Sequence, residues 1–419
     1  MAKVELITIG DEILVGKTQD TNARHIAVKL GEAGLALERI TTIADDADTL
    51  KRELDAALNR SDGVISTGGL GATSDDLTRP TLAEYFGGRL VVHRPTHDRI
   101  SAFLAMRGRK PEGDILKMAE IPDVCEAIDN DAGAAPGMIF RPKPGKIFVA
   151  LPGYPPEMKY LLKKGAIPAL VETLRPGRVR HVVFRTAGVP ESTMAERLRD
   201  FERQLPPNIR FAYNPSLKAL DLRLWACFSD GETEDAFDAA CERMRAAIGD
   251  DFFGYGEETL AEAVGKLLKS RGLRLATAES CTGGAVAAEI VAVAGASDYF
   301  LGGVTAYSNA AKVELLGVNP DTLAARGAVS EETAVEMAEG AKRRFGADVA
   351  VATTGVAGPD GGSDAKPVGT VCIAVAGPDF SLAKTFRFEN DRGRNIERTL
   401  TAALNLVRKK LLSTHGTLG

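Results

Sequence analysis

Ser280 lies in the segment Ala278-Glu-Ser-Cys-Thr-Gly-Gly284, between an apolar run and a helix opened by two glycines. A strand-to-helix turn exposes a serine hydroxyl at the sheet edge and aims free helix N-terminal N–H groups at the same spot. A nucleophile with an adjacent oxyanion hole needs that geometry, although a plain N-cap serine uses it too. A serine nucleophile also needs a base. Beyond residue 255 the only histidine is His415, so a Ser-His-Asp triad is not supported. Lys312 closes Ala306-Tyr-Ser-Asn-Ala-Ala-Lys312, one turn into a helix that follows a strand end. Lysine works as a base only where burial or a neighbouring cation lowers its pKa, and Arg392 is a candidate cation. The ordinary alternative is an exposed helix lysine. A third segment, Thr354-Gly-Val-Ala-Gly-Pro-Asp-Gly-Gly362, can offer backbone N–H groups to an oxyanion or a phosphate.

A second constellation lies near the other end of the chain. Gly68-Gly-Leu-Gly-Ala-Thr-Ser-Asp-Asp76 follows a strand. Its glycines let backbone approach a phosphate closely, and Asp75 and Asp76 are hard oxygen ligands suited to a divalent cation. The plainer alternative is a glycine turn with an aspartate helix cap.

These residues are positioned by alternating strands and helices. Val4–Ile9, Gly63–Thr67 and Lys146–Leu151 read as strands, and 22–33 as a helix. This rhythm predicts a mostly parallel sheet over 1–172, with ligands beyond the carboxyl ends of strands. Residues 173–254 read β-α-β-β-α, a small α+β layer. In Leu220-Asp-Leu-Arg-Leu-Trp-Ala226 the leucines and Ala226 form one face, and Trp225 falls on the other. It covers an exposed sheet or marks a contact. From 255 the α/β rhythm returns, with strands over 273–278, 303–306, 348–353, 368–376 and 382–389 and a terminal helix over 393–412. The fold expectation is therefore α/β, with two α/β domains flanking a small α+β domain.

Composition narrows the function classes. The 419 residues carry a net charge of −5, and no run of five like charges occurs. That argues against direct nucleic-acid binding by phosphate neutralisation. The five cysteines include no C-x-x-C pair, which argues against a disulfide framework or a zinc site. Charges at Lys3 and Glu5 interrupt the first apolar stretch, so no signal peptide is expected there. No apolar run reaches membrane-spanning length, and a cytoplasmic location with no membrane partner is expected.

Several segments together resemble a known family. Ala278–Gly284, Ala306–Lys312, Val329-Ser-Glu-Glu332, Thr354–Pro359 and Lys366-Pro-Val-Gly-Thr370 are similar to the C-terminal nicotinamide mononucleotide deamidase domain of the competence/damage-inducible CinA family. Gly10-Asp-Glu-Ile-Leu-Val-Gly16, Asp20-Thr-Asn22, the Gly68 loop, Asn130–Gly133, Ala135–Gly137 and Leu151-Pro-Gly153 with Glu157-Met158 resemble its N-terminal domain, which is MoaB/MogA-like in fold. Residues 173–254 occupy the place of the family's small KH-like domain, without a G-x-x-G loop, so RNA binding does not follow.

The resemblance implies a pyridine-nucleotide salvage enzyme. Ser280 and Lys312 would hydrolyse the carboxamide with Arg392 assisting, and without a cofactor. Thr282, Gly283, Gly284, Tyr307, Asn309, Thr354, Gly355 and Gly358 would bind substrate. The family's arginine spacing differs after Asn390, so Arg392, Arg394 and Arg398 stay open for the arginine role. For the N-terminal domain it implies an ADP-ribose pyrophosphatase. There Gly68, Gly69, Gly71, Asn22 and Glu157 would face substrate. Asp75 and Asp76 would hold a divalent cation (Mg, Mn or Co), with potassium as a further ion. Ala72 replaces the family's usual proline, and 114–119 lack its usual amide side chains. Small nucleotides are the expected partners, and a homodimer the expected assembly. The competing readings are a molybdopterin-cofactor-binding protein with an amidohydrolase domain of other specificity, and a DNA-uptake or repair partner.

Overall fold

The computed structural model describes residues 2–73, 76–110, 112–228 and 231–413. The chain divides into two units, one of Met1–Arg180 with Ala226–Glu234, the other of His181–Trp225 with Asp235–Gly419.

The first unit is built on a six-stranded sheet in the order Ala36–Ile43, Lys3–Ile9, Gly63–Thr67, Lys146–Leu151, Gly137–Lys143, Glu126–Ile128. The first four strands run parallel and the last two antiparallel. Alternate residues of the central strands feed two cores. Val4, Leu6, Ile65 and Val149 meet the helix Thr21–Glu32 through Ile26 and Leu30. Ile7, Val64, Phe148 and Ala150 meet the helices Ala47–Arg60 and Thr78–Tyr85 through Leu54 and Leu82. Burial on both faces explains why these strands read as continuous apolar runs. The antiparallel strands were not evident in the sequence.

A four-stranded sheet, most of whose residues belong to the second unit, runs Ile209–Pro215, Leu220–Phe228, Arg178–Thr186, Phe252–Tyr255, with the helices Glu191–Arg203 and Asp235–Ile248. The leucine face of Leu220–Phe228 is buried as expected. Trp225 lies half-buried on the other face, under the Arg223 guanidinium, 5.4 Å from its ring centroid. The strand Phe252–Tyr255 is additional to the expected pattern.

The rest of this unit is a five-stranded sheet in the order Phe300–Thr305, Leu275–Glu279, Val349–Gly355, Thr370–Ala376, Ser381–Arg387. The first three strands are parallel and the last two antiparallel. The helices Leu260–Ser270 and Arg392–Ser413 cover one face. Glu331–Phe345 covers the other, against an alanine-rich surface that includes Ala276, Ala278, Ala350, Ala352, Ala374 and Ala376. Thr259 opens the first of these helices with a complete capping box to Glu262.

Candidate active site

Two parallel neighbours, Leu275–Glu279 and Val349–Gly355, end side by side, and Ser280 follows the first directly. Its N–H donates to Thr353 O at 2.9 Å, which anchors the turn to the sheet. The next strand, Phe300–Thr305, leads through Ala306 and Tyr307 into the helix Asn309–Leu316, which Ser308 caps at Ala311 N. That helix brings Lys312 back over the strand ends. The Lys312 side chain is buried, at 1 % exposure, so the exposed-lysine alternative fails.

Lys312 Nζ lies 2.9 Å from Ser280 Oγ, 2.9 Å from Ala306 O and 3.3 Å from Tyr307 O. Burial pushes its amine below the usual lysine range, while the Cys281 thiol acts in the opposite direction. The cause is desolvation and not the cation suggested by the sequence. A neutral amine has two N–H donors and one lone pair. Three neighbours suit it: two carbonyls accept, and the serine hydroxyl can donate to the lone pair.

The pair opens into a cavity of about 170 Å³. Tyr307, Asn309, Thr354, Gly355 and Arg392 line it, as do Cys281, Ala328, Val329 and Ala357, which the sequence had not marked as site residues. Thr354 Oγ1 donates to Ala328 O at 2.7 Å and ties that wall to the strand end. Gly355 is required by its surroundings, since a Cβ there would lie 2.7 Å from Val371 and 2.8 Å from Thr370 O. Arg392 Nη1 donates to Gly358 O at 2.8 Å and its Nη2 to the Tyr307 hydroxyl at 3.3 Å. Arg394 and Arg398 instead bond Glu389, at 3.5 Å and 2.8 Å. Among the three arginines left open, only Arg392 reaches the cavity.

The helix N-terminus behaves differently from expectation. Glu279, 1 % exposed, turns its carboxylate onto the turn that follows it. It accepts from Thr282 Oγ1 and from the N–H groups of Gly284, Val286 and Ala287, at 2.7–3.0 Å. Gly283 N donates to Ser280 O. Thr282, Gly283 and Gly284, expected to bind substrate, therefore build the turn and do not line the cavity. Among the described residues the N–H groups of Cys281 and Thr282 donate to no other residue, and that of Cys281 faces its own thiol. Gly358 contributes its carbonyl to Arg392 and likewise lies off the cavity wall.

In the first unit the Gly68 loop is tightly built. Gly68 has φ 110° and a Cβ on it would lie 2.1 Å from Ile9 O; on Gly69 it would lie 2.1 Å from Thr78 Oγ1. Asp76 accepts from Gly71 N at 2.8 Å and from Thr73 N at 2.9 Å, so both carboxylate oxygens close the loop on itself. Asn22 Nδ2 donates to Gly153 O at 2.7 Å, and its buried Oδ1 has no partner among the described residues. Glu157 accepts from Asn130 Nδ2 at 2.7 Å, and burial raises its carboxyl above the usual range. Asp75 and His415 lie outside the described residues. Among the described residues no three His, Cys, Asp or Glu side chains converge to hold a metal ion. No step through a cation is derived at this loop.

Comparison with known proteins places these segments. The model of the CinA C-terminal domain matches residues 257–411, that of a probable molybdopterin binding domain 5–172, and that of the damage-inducible protein CinA KH domain 181–254. A CinA-like protein of Chloroherpeton thalassium is 41% identical over 418 residues, covering 97% of this chain and 99% of the relative. A putative competence-damage inducible protein of Caldicellulosiruptor saccharolyticus is 38% identical, covering 98% and 99%. The crystal structure of competence/damage inducible protein CihA from Agrobacterium tumefaciens is 40% identical over 36% of this chain and 93% of that one, at a TM-score of 0.36. Among the described residues no helix is long and apolar enough to cross a membrane.

Proposed function

The chain belongs to the CinA family, and on that premise we propose that its C-terminal domain is a Ser–Lys amidohydrolase acting on the carboxamide of nicotinamide mononucleotide. The observation that carries the reading is the buried Lys312 amine 2.9 Å from Ser280 Oγ. A buried, unpaired ammonium is costly, so the neutral base is the form this position favours.

Neutral Lys312 takes the Ser280 proton as Oγ attacks the carboxamide carbon. Cys281, which lines the cavity beside Ser280, offers a backbone N–H for the oxyanion, a contribution of about 10²–10³ in rate per donor. Lys312 then returns the proton to the departing nitrogen, and ammonia leaves as the C–N bond breaks. Water, deprotonated by the same amine, attacks the acyl-enzyme. Nicotinate mononucleotide departs, and Ser280 regains its proton. The sum is amide plus water giving acid plus ammonia, with every proton passing through Lys312.

Arg392 supplies a fixed cation at the cavity for the substrate's phosphate, and Tyr307 and Asn309 offer polar contacts around it. Incubation of the protein with nicotinamide mononucleotide, followed by proton NMR of the pyridine ring, tests the reading. Conversion to nicotinate mononucleotide with stoichiometric ammonia supports it. An unchanged spectrum, with other primary carboxamides converted, would assign the pair to a different amide.

A further inference from the structure

We propose that the cleft between the KH-like layer and the terminal helix is a second small-molecule site, built for an anionic ring-bearing ligand of the nucleotide class. It is a cavity of about 570 Å³ within the second unit. That size is ordinary for a small-ligand pocket, about 300–1,000 Å³.

Three elements build its walls by simple periodicity. On the strand Ser381–Arg387 and the residue just after it, Lys384, Phe386 and Phe388 are two apart and share one face, which lines the cleft. Ala383, Thr385 and Arg387, on the opposite face, line a different cavity. On the helix Arg392–Ser413, Arg398, Thr401, Asn405 and Lys409 recur at helical spacing on the side that faces the cleft. The third wall is formed by residues 186–191 and 215–220. The walls are held firmly. Asn405 Nδ2 donates to Ala187 O at 3.2 Å, and buried Arg408 donates to Phe252 O and Asp250 O at 2.7 Å each.

The lining carries four cations, Lys218, Lys384, Arg398 and Lys409, against one carboxylate, Glu191. Lys218, Arg398 and Lys409 are paired with Glu289, Glu389 and Asp251. Lys384 has no carboxylate partner among the described residues and rests over the Phe386 ring, 5.4 Å from its centroid. Phe386 and Phe388 stack at 5.8 Å with an interplanar angle of 20°, and both are half-buried. An accessible aromatic surface beside an uncompensated ammonium suits a planar ring joined to a phosphate. A second feature acts the same way. The helix Glu191–Arg203 starts in this wall at Pro190, without a side-chain cap, so the positive end of its dipole lies at the cleft. Inorganic phosphate alone would leave the rings unused, and an uncharged ring would leave Lys384 unused.

Photolabelling of the full chain with 8-azido-AMP, with peptide mapping of the adduct, tests the site. Mapping separates this cleft from the Ser280 cavity and the Gly68 loop. The expected result is label on peptides that span 186–220 or 381–409, removed by excess AMP and protected at least about tenfold less well by adenosine or by inorganic phosphate. Lys384→Ala and Phe386→Ala should each weaken that protection about tenfold. Lys384 is exposed, so its replacement leaves the core intact. Label absent from those peptides would overturn the site. So would label insensitive to both substitutions, or protection by phosphate equal to that by AMP.

Discussion

The Lys312 amine touches the Ser280 hydroxyl and two main-chain carbonyls, and no carboxylate. Its environment therefore rewards the neutral form. Because the base form is the active one and burial lowers its pKa, activity should be lost as the pH falls through that lowered value. A pH profile of kcat/KM should show a basic-form requirement with a midpoint below the usual lysine value of about 10.4. A midpoint at or above that value would contradict the burial argument.

Arg392 and Arg394 are two residues apart but should behave differently. Arg392 faces the cavity, whereas Arg394 is an exposed partner of Glu389. Arg392→Ala should raise KM by about 10–100-fold, the loss of one charge-assisted contact. Arg394→Ala should stay within about twofold, as expected of a surface pair. Steady-state kinetics on both variants checks this.

Glu279 is expected to matter for stability. Its carboxylate satisfies Thr282 Oγ1 and three N–H groups in a buried turn. Glu279→Ala leaves those donors unanswered and should cost roughly 2–5 kcal/mol in chemical denaturation. Glu279→Gln keeps one acceptor oxygen and should cost less. A neutral Glu279→Ala would mean that water replaces the carboxylate freely.

Much of this site was legible in the sequence, for a physical reason. Strand ends followed by short turns place Ser280, Lys312 and Thr354 at one sheet edge, and sequence shows strands and turns. What it could not show was where Glu279 points. A side chain that turns back to cap the following helix is set by three-dimensional packing, and it claims the Gly284 N–H for the turn itself. The strand Phe252–Tyr255 was missed because four residues containing Gly254 carry too little periodicity. Gly137–Lys143 was missed because Pro142 and the charged residues around it mask its buried first half. Similarly, the sequence could not show that the Asp76 carboxylate accepts from the N–H groups of its own loop.

In the proposed mechanism base and nucleophile are both side chains, and no step calls for a Lewis acid. Ammonia release from nicotinamide mononucleotide should be unchanged, within about twofold, after dialysis against EDTA. A fall that added divalent cation restores would contradict the mechanism.

The most direct measurement is ammonia release from nicotinamide mononucleotide by the wild-type, Ser280→Ala, Lys312→Met and doubly substituted proteins. Methionine keeps the volume of Lys312 without its amine. Each single change should lower kcat by about 10³-fold or more, and the double change should add little, because nucleophile and base act as a unit. Undiminished release by the Ser280→Ala protein would show that Ser280 only forms the turn, and the account of this site would fail.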